Sequence, residues 1–451
     1  MRRPEKAPTV YKKRGPPRER PLLRRERRAL AQERAAAKAL EEPPPERRER
    51  RALSHVGGRI ELAGDDEELL RVLAAALDVP RDEDAAQAHV HGFHSYAARL
   101  HPATARRIID GLSAPGQTVL DPYMGSGTVM VESRLAGRRG IGVDLNPLSL
   151  DLAHLKTRGA SPAERRGLVE AAERVAAHAD ERRLAKAGPT QRYGREDLEL
   201  FDVHMLLELD GLRDGISLEP AGYAREALKL VLSSILVKVS KRPGDTVERV
   251  APRRLATGFA IKLFSSKTVE LAERLEAFTD LLRANAKKPP ECELAVDDAR
   301  KLRTVRAASV DLIVTSPPYP GVYDYAHHHA ARLRWLGLDA EAFFHGEIGS
   351  RRNLRGRDRD EGIRVWERDF VASLSAMSRA MRPRATAVIV LADSVVQRRA
   401  IYADDVMDRL APRGGLRLVA VASQKRPHFH EPSRDAFAER PRREHLFALV
   451  K

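Results

Sequence analysis

Two short segments of this 451-residue chain carry residue types able to do chemistry together. One is Thr315-Ser316-Pro317-Pro318-Tyr319, which continues the apolar run at residues 310–315. Each proline lacks an N–H and fixes its own φ, so the segment is held extended and the carbonyls of Ser316 and Pro317 are left to accept hydrogen bonds. A rigid row of acceptors beside an aromatic ring suits one kind of nucleophile, an exocyclic amine on a heteroaromatic base. The lone pair of such an amine is delocalised into the ring. Accepting its two hydrogens through the Ser316 hydroxyl and the Pro317 carbonyl favours a pyramidal nitrogen and frees the pair for attack. Pro318 helps to keep the row rigid, and Tyr319 is expected to stack on a base turned out of its helix.

The other segment is Asp121-Pro122-Tyr123-Met124-Gly125-Ser126-Gly127-Thr128, between a strand expected at residues 117–120 and an apolar helix expected at 129–136. Open parallel sheets bind ligands at such strand-to-helix turns, and glycine lets a ligand approach the backbone closely. A phosphate-binding loop would need Gly-Lys-Ser/Thr, but Gly127 is followed by Thr128 and Val129; a dinucleotide fingerprint would need a small residue at position 130, which is Met130. Asp144 follows the next expected strand, 140–143, and lies 17 residues beyond Gly127. A carboxylate there can accept both hydroxyls of a ribose, so the turn is expected to hold a ribonucleoside-type cofactor. Read alone, it also fits a structural turn, with Asp144 capping the helix before Asn146-Pro147. In-line attack on a sulfonium methyl needs no metal, and no metal is expected. His327-His328-His329 are consecutive, and successive residues of a helix point apart.

These turns require a sheet whose strand ends meet. Strand-like runs at 117–120, 140–143, 292–296, 310–315, 385–391, 416–421 and 446–450 alternate with helical patterns at 66–77, 102–112, 129–136 and 370–381. The alternation predicts an α/β fold, doubly wound and mostly parallel, with helices on both faces. The expected organisation is a disordered basic arm over 1–55, an N-terminal part of the domain with the cofactor turn over 56–160, a helical insertion over 161–288, and a C-terminal part with the Pro-Pro-Tyr segment over 289–451.

The net charge of +16 favours polyanionic partners. Most of it lies in the arm, where residues 1–55 hold 18 Lys and Arg against 8 Glu. A single cysteine, Cys292, excludes an intrachain disulfide and a cysteine-based zinc site. No run of apolar residues is long enough to span a membrane, and no apolar segment follows the basic N-terminus as in a secretory signal, so a cytoplasmic protein is expected.

Together the two motifs resemble motifs I and IV of the amino methyltransferases that modify adenine N6 or cytosine N4 in DNA; the resemblance covers residues 90–160 and 290–451. It implies a Rossmann-like methyltransferase sheet, S-adenosylmethionine as cofactor and DNA as partner. Carried over, Asp121, Gly125 and Gly127 line the methionine end, with Pro122, Tyr123 and Thr128 in the same turn. Asp144 holds the ribose and Asp298 lies near the adenine. Phe93 and Tyr96, in Phe93-His94-Ser95-Tyr96, resemble the segment ahead of motif I that lines the same pocket. Ser316 at the head of Pro-Pro-Tyr is frequent in cytosine N4 enzymes, where adenine N6 enzymes carry Asp or Asn. Such enzymes often add a target-recognition domain, and here the insertion is the expected reader, helped by Arg351, Arg352, Arg355 and Arg357. Restriction-modification is one setting for such an enzyme. RNA offers the same base amines, and an inactive nucleic-acid-binding relative is the non-enzyme alternative.

Overall fold

The computed structural model describes residues 58–451 apart from 80–82, 245–249, 252–253, 286–288 and 428–430. The arm read at residues 1–55 lies outside the described residues. The eight strands of the main sheet are β1 (Ile60–Gly64), β2 (Thr118–Asp121), β3 (Arg139–Asp144), β4 (Cys292–Val296), β5 (Val310–Thr315), β6 (Met381–Ala392), β9 (Arg417–Lys425) and β10 (Arg443–Val450), while β7 (Ser394–Val396) and β8 (Arg399–Ile401) form a separate hairpin. Their order is β1-β9-β10-β6-β5-β2-β3-β4. β4, β3, β2, β5 and β6 are parallel; β10 runs against both β6 and β9, and β1 against β9.

Alternate residues of each inner strand face opposite cores, as the two-residue period of a strand requires. Val119, Leu312, Val314 and Val388 join one core beneath α1 (Glu67–Leu77), α2 (Pro102–Leu112) and α3 (Thr128–Leu135). Leu120, Ile313, Ala387 and Ile389 join the other with the later helices Arg359–Ala380 and Ala403–Leu410. Each Leu, Ile or Val fully buried here contributes roughly 1.5–3 kcal/mol. The doubly wound, mostly parallel reading therefore holds.

After β3, α4 (Pro147–Arg158) begins at Asn146, whose side chain accepts from Leu148 N, with Pro147 in its first turn. The insertion that follows is helical, as read: α5 (Pro162–Leu184), α6 (Arg195–Leu200), α7 (Val203–Leu218), α8 (Tyr223–Val239) and α9 (Phe259–Asn285). Ser161 and Glu164 form a reciprocal capping box at the start of α5. Leu148, Leu152 and Leu155 of α4 share one apolar core with the insertion helices, so the insertion is seated on the sheet's own helical layer. α10 (Tyr325–Leu336) leaves the Pro-Pro-Tyr turn and joins that core through Leu333 and Trp335.

Three features were not read from sequence. β1 is a five-residue edge strand, its last three residues exposed, and has no inward alternation to betray it. The β7–β8 hairpin turns through Gln397 and Arg398, both at positive φ without a glycine signal. β6 starts earlier than the expected 385, because Met381-Arg382-Pro383-Arg384 resembles a turn; there Arg384 sits at φ 68° and the pairing with β5 shifts register.

Candidate active site

In the order β4-β3-β2-β5-β6 the chain winds outward from β2 through β3 to β4, then returns to lay β5 on the other side of β2. Ligand crevices form at such a reversal, beyond the carboxyl ends of the strands. The two motifs occupy these adjacent ends, with Val119 paired to Leu312 and Leu120 to Ile313. A direct bond joins them: Thr315 Oγ1 donates to Asp121 Oδ1 at 2.7 Å. Asp121 also accepts from Tyr123 N at 3.1 Å. Burial pushes its carboxyl up to about 7, against the lowering effect of these bonds.

A cleft opens above the junction, lined by Tyr96, Pro122, Tyr123, Gly125, Asp144, Asp298, Ser316 and Pro318, with Tyr325 and Glu347 on its rim. It brings together residues from both motifs and from four strand ends, those of β2, β3, β4 and β5. Gly125 (φ 52°) donates its N–H to Asp144 Oδ2 at 2.8 Å, while Asn146 N donates to Asp144 Oδ1 at 2.8 Å. Each carboxylate oxygen retains a second lone pair, so the group can still receive two hydroxyls. Burial pushes the Asp144 carboxyl up to about 6. A side chain at Gly125 would place its Cβ 3.3 Å from the Tyr96 ring, whose hydroxyl is bonded to Ser149 Oγ at 2.9 Å.

Across the cleft, Asp298 is gripped by Arg300, with Nε and Nη2 both at 2.9 Å from its oxygens. Burial would raise this carboxyl, but Arg300 prevails and holds it below the usual carboxylate range. Asp297 lines the cleft too, while one of its oxygens accepts from Thr304 N and Oγ1, each at 2.8 Å. The cleft encloses about 100 Å³, below the roughly 300 Å³ of pockets that bury a whole small molecule. Ala97, Ala98, Phe343 and Ile348 contribute to its lining.

Several expected residues lie elsewhere. Phe93 is 1% exposed and belongs to the insertion-side core rather than the cleft. Gly127 (φ 82°) lies beneath the turn, where a Cβ would come within 2.9 Å of Ala153; its conformation serves the packing of α3 on α4. Thr128 is buried and also absent from the lining, as is Asp121, which acts on the cleft only through its bond to Thr315. In the Pro-Pro-Tyr segment, Pro317 is buried outside the lining, and the Pro318 carbonyl accepts from Trp366 Nε1 at 3.3 Å. Tyr319 is 7% exposed, its hydroxyl 3.5 Å from Ser316 Oγ, so its ring offers no open face for stacking. Tyr325, with Tyr323 at 5.4 Å between ring centres, lines the cleft together with Tyr96, Tyr123 and Phe343.

Glu347 was missed because it belongs to no motif. It lies on the far rim, where burial pushes its carboxyl up to about 7 although Ala326 N donates to it at 3.3 Å. Arg351 pairs with Asp324 at 3.0 Å and Arg357 with Glu361 at 3.3 Å; Arg355 is exposed. Of the consecutive histidines, His329 stacks obliquely on Tyr96 at 4.7 Å between centres.

This sheet order, with a cleft at its switch point, defines a Rossmann-like fold. Residues 33–154 match the family model described as DNA methylase, N6_N4_Mtase. Over that stretch the chain is similar to the N6/N4 methyltransferase family. The type II methyltransferase M.BsoBI of Geobacillus stearothermophilus is 26% identical over 295 residues, covering 55% of this chain and 53% of that protein. M.MjaII of Methanocaldococcus jannaschii is 34% identical over 68 residues, 15% of this chain and 13% of the relative. This chain thus spans about half the length of one curated relative and a much smaller share of the other. Among solved structures, the rRNA methyltransferase aviRa of Streptomyces viridochromogenes aligns over 83% of this chain and 94% of its own at 13% identity, with a TM-score of 0.35.

Proposed function

We propose that this protein transfers a methyl group from S-adenosylmethionine to an exocyclic amine of a base in DNA, with cytosine N4 preferred over adenine N6. The observation that carries this reading is the single cleft lined by Asp144, Gly125 and Asp298 from the first half of the site and by Ser316 and Pro318 from the second.

The donor set suits a ribonucleoside bearing a sulfonium. Asp144 has two lone pairs for the ribose hydroxyls, and Asp298, fixed by Arg300, is an acceptor for an adenine amino group. The aromatic wall of Tyr96 and the bare backbone at Gly125 allow close approach. S-adenosylmethionine supplies an electrophilic methyl carbon when bound. Ser316 faces the same space and accepts a hydrogen of the target amine, holding it in line. Tyr325, rather than Tyr319, is the ring placed to flank the base. We assign sequence reading to the 161–288 insertion, which joins the site through α10: His94 Nε2 meets Ser233 Oγ of α8 at 3.0 Å, and Arg332 of α10 donates to Ser233 O at 3.3 Å.

The test is incubation with methyl-labelled S-adenosylmethionine and separate pools of DNA, RNA and protein. Label is expected in DNA. Label confined to RNA or protein rejects the assigned substrate.

A further inference from the structure

Methyl transfer to an amine leaves one proton too many on nitrogen, and Ser316 is not a base that can keep it. The proton needs an acceptor on the amine's side of the cleft. Asp144, Asp297, Asp298 and Glu347 all line the cofactor cleft. Behind Ser316 lies a second, smaller cavity, lined by Ser316, Tyr319, Arg99, His101 and Glu444 among others, and Glu444 is the only carboxylate in that lining. Ser316 therefore stands between the two spaces. The smaller one holds about 10 Å³, far too little for a base and about the room that one water occupies.

Topology explains why a residue so late in the chain reaches this place. β10 is antiparallel to β6, so its first residues lie at the edge where the parallel strands end: Glu444 pairs with Ala392 at the end of β6 and with Gln424 near the end of β9. Glu444 is 3% exposed and ion-paired with Arg426, itself 6% exposed. The Tyr319 hydroxyl lies 3.5 Å from Ser316 Oγ, and either oxygen can donate. Burial raises the phenol's pKa, and the negative field of Glu444 raises it further, which keeps Tyr319 neutral and able to pass a proton on.

We propose that Ser316, Tyr319 and Glu444 form the exit relay for the proton that methyl transfer releases. The inference rests on the amine methyltransferase reading. As the amine nitrogen bonds to the methyl carbon, the carbon–sulfur bond breaks and its electron pair stays on sulfur. The nitrogen's surplus proton passes to Ser316 Oγ, the Ser316 hydroxyl proton passes to Tyr319, and the Tyr319 proton passes, directly or over one water, to the Glu444 carboxylate. A protonated, methylated aromatic amine is so strong an acid that a carboxylate paired with arginine suffices as its base.

The test is single-turnover transfer from labelled S-adenosylmethionine to mixed-sequence genomic DNA by the full chain, with cofactor affinity measured alongside. Glu444→Gln and Tyr319→Phe are each expected to slow transfer by about 100-fold or more, the size of a lost general base, with cofactor affinity within about 2-fold of the wild type. The double variant is expected to be no slower than the slower single one. Should Glu444→Gln fail to fold, Tyr319→Phe, which keeps the buried ring, carries the same prediction. A folded variant of either kind that transfers within 2-fold of the wild-type rate overturns the relay while leaving the parent reading standing. Wild-type protein that transfers nothing to any nucleic acid overturns both.

Discussion

In the proposed reading Asp144 carries cofactor recognition, and its environment gives it a pH signature. Burial raises its carboxyl from 3.8 to about 6, while Gly125 N and Asn146 N resist. Because the folded value is the higher one, this group favours the folded chain most below about 4, and that contribution is lost as pH rises through about 6. Cofactor binding should run the opposite way, since only the ionised carboxylate accepts two hydroxyls. Titration calorimetry is expected to show affinity falling as pH drops below about 6, and Asp144→Asn should weaken binding by about tenfold or more, about 1.4 kcal/mol, and flatten the pH profile. Affinity unchanged in Asp144→Asn removes the residue from the site. At this scale the sequence was readable where a residue type has few uses: an acid after a strand, a hydroxyl before two prolines. It misled where a motif residue serves the scaffold. Asp121, Gly127 and Tyr319 all belong to motifs, yet one ties two strands, one lets helices approach and one is buried behind the serine. Nothing in residue type separates those jobs, which depend on where neighbouring elements pass.

Among the elements, the junction of β2 and β5 does the positioning, and α3 must enter α4's surface at Gly127 for the turn to keep its shape. Gly127→Ala combines a positive φ with a Cβ 2.9 Å from Ala153; denaturant unfolding is expected to show a loss of about 1–2 kcal/mol from the backbone conformation alone. Gly125→Ala shares the positive-φ cost (φ 52°) but meets the Tyr96 ring at 3.3 Å rather than a packed helix, and is expected to cost cofactor affinity more than Gly127→Ala does. Equal effects of the two on binding would contradict this division. The inner strand β5 was legible to the residue because a buried parallel strand reads as a largely apolar run, here broken only by Asp311; the edge strand β4, half-exposed and carrying Glu293, was legible from its remaining apolar residues. Glu444 was not, because its place at the ligand edge follows from the reversal of β10, and strand direction leaves no mark in a single strand's composition.

For the whole molecule, charge is distributed unevenly. Of the net +16, residues 1–55 carry +10, and the 161–288 insertion holds 23 Lys and Arg against 20 Asp and Glu. If DNA is the substrate, as proposed, this distribution puts the non-specific attraction to phosphate on the arm. Binding to random-sequence DNA should weaken steeply with salt in the full chain, and a chain lacking residues 1–55 should show a clearly shallower slope of log affinity against log salt. An unchanged slope would move the phosphate contacts onto the body. Among the described residues no helix is long and apolar enough to cross a membrane.

The central claim is that one cleft joins a sulfonium cofactor to a base amine held by Ser316. Nucleoside analysis of DNA after incubation with labelled S-adenosylmethionine tests it directly. N4-methylcytosine is expected, falling about 100-fold in Ser316→Ala, the scale of a lost positioning or proton-accepting group, while cofactor affinity is kept. Methylation of a ring carbon would contradict the account, because that chemistry calls for a nucleophilic thiol and Cys292, half-buried at the start of β4, has its pKa pushed up to about 12 by desolvation. So would Ser316→Ala methylating DNA at the wild-type rate.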